Sequence, residues 1–221
     1  MILTLFSLGI MTPIQLSINF NAKEKWIPKN EIANSISSYS QMRLIQLTHW
    51  PVIKKRLKNK YPMIESINLS FKSFPNIKVN ILEKLPWVMI IDKNQTNLFS
   101  YDGTLLNPKL NDFELPNQSI LIIKTSSPIM ESNKIESKTL NTLQQVANNL
   151  ERIPFLNLQQ IILDQKNIQM IKNNGIKINL GTNTKLDEKF LMLKYYLGQY
   201  RKDLESIEFI DIQFPKRVII K

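Results

Sequence analysis

Between residues 61 and 86 the chain reads YPMIESINLSFKSFPNIKVNILEKLP, two alternating runs at 64–71 and 77–82 separated by a turn-like KSFPN. In the second run Ile77, Val79 and Ile81 fall on one side of an extended chain and Lys78, Asn80 and Leu82 on the other. That is the pattern of a half-buried antiparallel strand, and the two runs read as a hairpin. Just before it, WPVIKKRLKNK (50–60) places Val52, Ile53, Leu57 and the lysine stems on a short amphipathic helix, with Pro51 suited to its first turn. Just after it, Pro86 stops the pairing, because proline has no N–H to give to a ladder.

Working outward, residues 14–20 read as a strand, and Asn30 is placed to cap a helix in which Ile32 and Ile36 sit one turn apart. Residues 37–40 end that helix, and 42–47 form a short apolar link. The order is strand, helix, helix, strand, strand, which predicts a small α+β domain: a three-stranded sheet with both helices on one face.

Residues 88–91 and 97–99 read as strands, Tyr101-Asp102-Gly103-Thr104 as a hairpin turn, 107–116 as a polar loop and 119–124 (SILIIK) as a buried strand. A helix over 137–152 aligns Leu140, Leu143, Val146, Ala147 and Leu150. Strands at 160–163 and 168–171, a turn at Asn173-Asn174-Gly175 and a strand at 176–180 follow. A last helix over 186–201 aligns Phe190, Leu193, Leu197 and Tyr200, with Asp187 and Glu188 at its N-terminal end and Arg201 and Lys202 at its C-terminal end. Strands at 207–212 and 217–220 close the chain. The expected architecture beyond residue 86 is mixed α+β with a mainly antiparallel sheet.

Composition narrows the chemistry. Absence of cysteine excludes a disulfide framework and a thiolate metal site. One histidine, His49, and five glycines leave little from which to build a histidine metal cluster, a Ser-His-Asp triad or a glycine-rich phosphate loop. Adjacent Asp187 and Glu188 point to different faces of a helix, and Glu205 and Glu208 form no better acid-base pair. Asp102 reads as a turn residue, Asp211 as the end of a strand, and His49 as a surface or capping group. No catalytic, cofactor-binding or metal-binding residue is expected.

The net charge of +11 is unevenly distributed. Residues 1–84 hold 12 Lys and Arg against 4 Asp and Glu, or +8; residues 85–221 hold 17 against 14, or +3. The densest patch, Lys54, Lys55, Arg56, Lys58 and Lys60, lies on the expected helix. A solvated face or attraction to an anionic membrane surface accounts for it. Nucleic acid is not the expected partner, since neither a recognised binding motif nor an interleaved aromatic platform accompanies the charge.

Residues 1–22 carry no charged side chain, and 1–10 (MILTLFSLGI) are strongly apolar. Pro13, Gln15, Asn19 and Asn21 suit hydrocarbon poorly, and neither Lys nor Arg precedes the run to set orientation. The expectation is a partial transmembrane anchor over 1–13 whose beginning lies upstream. A signal-peptide core and a first buried strand are the competing readings.

The strand-helix-helix-strand-strand module after an apolar segment resembles a POTRA domain. Phe74-Pro75-Asn76, followed by Val79, Ile81, Glu83, Lys84 and Pro86, is similar to the WPNxLxVxVxERxP passage of the FtsQ/DivIB family of bacterial cell-division proteins, with Lys84 where arginine is usual. Asp102-Gly103 resembles that family's DxxGxxF hairpin, and Leu180-Gly181 with Lys189 its LG......K passage. Residues 210–218 (IDIQFPKRV) are similar to its xDLRxPxRV signature, with Gln213 in place of an arginine.

That resemblance divides the chain into an anchor at 1–13, a POTRA-like domain at 14–86 and an FtsQ/DivIB-type β domain at 87–221. It implies a nonenzymatic, single-span inner-membrane protein with periplasmic domains, enriched at the division site and linking early and late division proteins for septal wall synthesis. Its implied partners are the division proteins FtsB and FtsL, held by β-augmentation at the C-terminal edge strand; by position Phe214, Arg217, Val218, Ile219 and Ile220 would make that contact. Other division components would meet the POTRA-like domain, and Lys54, Lys55 and Lys58 would face lipid head groups or a partner. The rival readings are a POTRA-bearing polypeptide-transport component, which would need a β-barrel after these modules, and a basic nucleic-acid-binding protein.

Overall fold

In the computed structural model, which describes residues 15–20, 27, 29–37, 49–73, 76–92, 95–106, 120–126, 129–154, 156–164, 167–199, 207–214 and 217–221, the alternating runs pair as a hairpin. Strand β2 (Ile64–Ser73) lies antiparallel to β3 (Asn76–Glu83), with Ile67 opposite Ile81 and Leu69 opposite Val79. Ile77, Val79 and Ile81 are buried while Leu82 is exposed, as the two-residue period requires. Strand β1 (Gln15–Phe20) runs parallel to β3 on its other side, so the sheet order is β1-β3-β2. Helices α1 (Lys29–Ser37) and α2 (Trp50–Lys60) intervene between β1 and β2 and contribute buried Ile32, Ile53 and Leu57.

Two details of these helices differ from the sequence reading. Val52 is exposed: Ile53 and Leu57, four residues apart, form the buried stripe, and Val52 lies to one side of it. Asn30 is inside α1 and exposed rather than its cap, because the helix already begins at Lys29. His49 occupies the N-cap position of α2, but its side chain makes no capping hydrogen bond.

Side chains of α2 also secure the unit. The Lys58 ammonium donates to the Glu65 carbonyl at 2.6 Å, and Lys60 donates to Ser35 Oγ at 2.9 Å. Ser35 in turn lies 3.0 Å from the Tyr61 hydroxyl, which joins α1 to the end of α2. Glu83 shares its strand parity with Ile81 and is fully buried, its Oε1 accepting the Ile27 N–H at 3.0 Å.

The chain divides into two compact units, Met1–Leu85 and Pro86–Lys221. In the second, strands β4 (Val88–Asp92), β5 (Gln95–Phe99), β6 (Leu121–Thr125), β9 (Leu158–Asp164), β10 (Asn167–Lys172), β11 (Lys177–Gly181), β12 (Phe209–Asp211) and β13 (Ile219–Ile220) make one sheet. Its order is β13-β12-β11-β10-β9-β6-β4-β5. Four of the seven pairings are antiparallel, so the sheet is mainly antiparallel; β4 with β6, β6 with β9 and β11 with β12 are parallel. A parallel neighbour demands a crossover. Helix α3 (Ser137–Glu151) lies in the crossover from β6 to β9, and α4 (Leu186–Gln199) in that from β11 to β12.

Both helices enter one core, where Leu143 and Val146 of α3 and Phe190, Leu193 and Leu197 of α4 join Ile123, Ile161, Met170 and Ile178 of the strands. Burying each such side chain contributes roughly 1.5–3 kcal/mol. The buried stripe of α3 includes Thr142 and Asn149, whereas Ala147 is only half-buried. The helix is rotated from its purely apolar face because its polar positions meet α4 and the turn before it: Asn149 Nδ2 donates to Asp187 Oδ1 at 2.9 Å, and Asn183 Nδ2 to Thr142 Oγ1 at 3.0 Å.

Strands β7 (Met130–Glu131) and β8 (Lys134–Ile135), too short to show a period, form a separate hairpin that the sequence reading lacks. Gly103 (φ 75°) and Gly175 (φ 87°) take the left-handed conformation at their turns. The expected anchor at 1–13, the link at 42–47, the loop at 107–116, Phe74, Pro75, Tyr200, Arg201 and Lys202 lie outside the described residues. Among the described residues, no helix is long and apolar enough to cross a membrane.

Replacing Glu83 with alanine leaves the Ile27 N–H without its buried acceptor. A loss of about 1–3 kcal/mol is expected in urea unfolding of the N-terminal unit, with faster hydrogen exchange at the Ile27 amide.

Candidate partner-binding edge

Strand β13 is the last of the large sheet on one side: it pairs antiparallel with β12, and among the described residues no strand pairs with its other edge. Lys221 N–H donates to the Phe209 carbonyl at 3.1 Å, and Phe209 N–H donates back to the Lys221 carbonyl at 3.1 Å. In an antiparallel ladder such doubly bonded pairs alternate with unbonded ones. With Ile210 opposite Ile220 and Asp211 opposite Ile219, the alternation turns the N–H and C=O of Ile220 away from β12. Those groups, with a backbone spacing set by the ladder, are complementary to an incoming strand.

The side chains nominated from sequence divide around this edge. Ile219 and Ile220 lie on β13 and are exposed, Arg217 is exposed just before it, and Phe214, at the bend after β12, is 59% exposed. Val218 is half-buried and packs against the core. Of the basic residues, Lys55 is exposed, Lys54 is half-buried on α2, and Lys58 is held by the Glu65 carbonyl.

What positions the edge is a set of contacts between two passages far apart in sequence. Gly181, at the end of β11, has φ 63°, and a Cβ built on it would lie 2.7 Å from the Cβ of Gln213. No other residue type fits there without displacing the bend that follows β12. Asp211 organises that bend by accepting the Gln213 N–H on Oδ1 at 3.0 Å, which is the turn chemistry expected of an aspartate ending a strand. Asp102 acts similarly in its own turn, accepting from Ser100 Oγ at 2.6 Å.

Lys189 completes the arrangement. Its side chain comes from the first turns of α4, is 1% exposed, and donates to the carbonyls of Leu180 and Thr182, both at 2.8 Å. It therefore clamps the segment on either side of Gly181. Burial holds this ammonium below its ordinary pKa of 10.5. In the sequence Leu180-Gly181 and Lys189 are linked only by the family pattern; the physical signal is a lysine on the core-facing side of a helix, since such a cation must find acceptors.

Among the described residues, no three His, Asp or Glu side chains converge as metal ligands. The geometry defines a class first: an α+β unit on a mixed sheet whose last strand, among the described residues, has one unpaired edge. Comparison with known families then places it, since the model of the cell division protein FtsQ/DivIB, C-terminal, matches residues 88–213. The chain belongs to the FtsQ/DivIB family and is a cell-division protein. No curated protein matches it. The matched residues run from the start of β4 past Asp211 to Gln213 and stop short of β13.

Lys189→Met removes both donors while nearly preserving volume, and should destabilise the C-terminal unit by about 1–3 kcal/mol in urea unfolding. Between the lowered pKa and 10.5 the folded protein binds fewer protons at Lys189 than the unfolded chain does, so this residue makes stability rise with pH across that window. The stability difference between wild type and variant should therefore widen as pH increases there.

Proposed function

We propose that this cell-division protein is a nonenzymatic scaffold that holds partners at the septum, taking up a strand of FtsB, with FtsL in the same assembly, on the outer edge of β13. The observation that carries the reading is the outward-facing backbone of Ile220, flanked by exposed Phe214, Arg217, Ile219 and Ile220. An added strand gains main-chain hydrogen bonds to Ile220 and buries the adjoining apolar side chains, while Val218 anchors the strand from the core side.

The N-terminal unit fits a POTRA-like domain, as its β1-α1-α2-β2-β3 order and β1-β3-β2 sheet support. It would engage other division components. Uncharged residues 1–22 support an anchor in the inner membrane with the folded units in the periplasm. The excess positive charge of residues 1–84 suits a position close to anionic head groups, to which Lys54 and Lys55 turn more readily than Lys58, already tied to Glu65.

Ile220→Pro removes an N–H that β12 does not use, so folding should be retained. Strand addition at this edge then predicts at least about tenfold weaker binding of purified FtsB. Undiminished binding would refute the edge. In cells, a fluorescent fusion should form a mid-cell band that appears with constriction; a uniform envelope signal would favour transport or another tether.

Charge reversal at Lys54, Lys55 and Lys58 tests the basic face separately. Weaker mid-cell or membrane signal is expected, and unchanged localisation would leave these lysines as a solvated helix face.

A further inference from the structure

Helix α4 is apolar on both sides. Phe190, Leu193 and Leu197 face the core, yet Leu191 and Tyr195 are 68% and 62% exposed. Spaced four residues apart, these two lie one above the other and make a continuous apolar strip where a surface helix is ordinarily polar. Gln199 Nε2 donates to the Tyr195 hydroxyl at 2.6 Å, which holds the ring along the helix.

Beside the strip, where α4 meets the end of α3, a notch of about 80 Å³ opens between Asn149, Arg152, Ile153, Asp187, Phe190, Leu191 and Lys194. One water needs about 10–15 Å³ and a small-molecule pocket occupies about 300–1,000 Å³. The notch has the size of one inserted side chain. Two cations outnumber one acid in its lining: Arg152 and Lys194 are exposed, and among the described residues neither is paired with a carboxylate. Asp187, the acid in that lining, already accepts from Asn149 Nδ2, and Glu188 meets Lys185 at 3.7 Å.

We propose that the exposed side of α4 with this notch is a second docking surface, distinct from β13, for an acidic segment of another polypeptide that inserts one large apolar side chain between Arg152 and Lys194. A second copy of the chain fits poorly, since each carries +11. A flat lipid surface would leave the notch unfilled, whereas a polypeptide side chain fills it and sets its carboxylates against the two cations. Leu191 and Tyr195 then cover the flanking residues of the segment. Because α4 and β13 are different elements, this surface and the strand-addition edge stand or fall separately.

The test is amide NMR of the full isotope-labelled chain titrated with a synthetic peptide in which glutamates flank a single phenylalanine. A lysine-flanked version of the peptide and phosphatidylglycerol vesicles serve as controls. Saturable shifts are expected at Arg152, Leu191, Lys194 and Tyr195 with the acidic peptide alone, leaving Ile219 and Ile220 unmoved. Leu191→Ser with Tyr195→Ser, and separately Arg152→Glu with Lys194→Glu, should each weaken binding about tenfold. Raising ionic strength should weaken wild-type binding as well. Absence of saturable binding, equal binding of the lysine peptide, shifts confined to Ile219 and Ile220, or undiminished binding by either variant would overturn the proposal. Vesicle binding with the same variant dependence would also overturn it, in favour of a lipid surface.

Discussion

A backbone N–H or C=O withdrawn from water has to find a partner, and in the C-terminal unit one eight-stranded sheet meets that requirement. The interior strand β6 is paired on both sides with parallel neighbours, β4 and β9. Parallel pairing obliges the chain to cross over the sheet between strands, so α3 and α4 follow from the strand order as much as from their own propensity. Their side chains fill one core with the buried strand residues; the Asn149–Asp187 hydrogen bond joins the two helices, and Asn183–Thr142 joins α3 to the turn before α4. At β13, among the described residues, the same requirement is met on one side alone, which leaves the backbone groups of Ile220 complementary to an added strand.

That edge is held in place from a distance. Gly181 admits the close approach of Gln213, Asp211 bends the chain after β12, and the buried Lys189 ammonium fixes the carbonyls of Leu180 and Thr182. Glycine, aspartate and lysine act here through conformation, local acceptance and long-range donation respectively. Gln213 stands where the family pattern has arginine, and both its backbone N–H and its side-chain amide donate to Asp211, at 3.0 Å and 3.4 Å.

In the N-terminal unit the charge has more than one use. Lys58 and Lys60, part of the densest basic run, hydrogen-bond to Glu65 and Ser35 and so help join α2 to β2 and α1. Lys55, by contrast, is exposed to solvent. A run of lysines on a helix thus divides into side chains that hold the unit together and side chains left for long-range attraction, a division set by which positions overhang neighbouring acceptors. Glu83 shows the same principle for an acid: strand parity carried it inside with Ile81, and the Ile27 N–H receives it there.

Elements with a strong local period were legible in the sequence. The hairpin of β2 and β3, helix α2 with buried Ile53 and Leu57, and the inward face of α4 follow from spacings of two and of three to four, since side-chain direction is a local property of the backbone. Turns at Gly103 and Gly175 were legible because positive φ selects glycine. The sequence also carried the family, through Leu180-Gly181, Lys189 and residues 210–218. Only the tertiary structure decided that β6 lies between β4 and β9, that Asn149 meets α4 and Thr142 the turn before it, that Val52 is left outside, and that Leu191 borders a notch lined by Arg152, Asp187 and Lys194. These depend on which distant segments meet, and period along the chain holds no record of its neighbours across space.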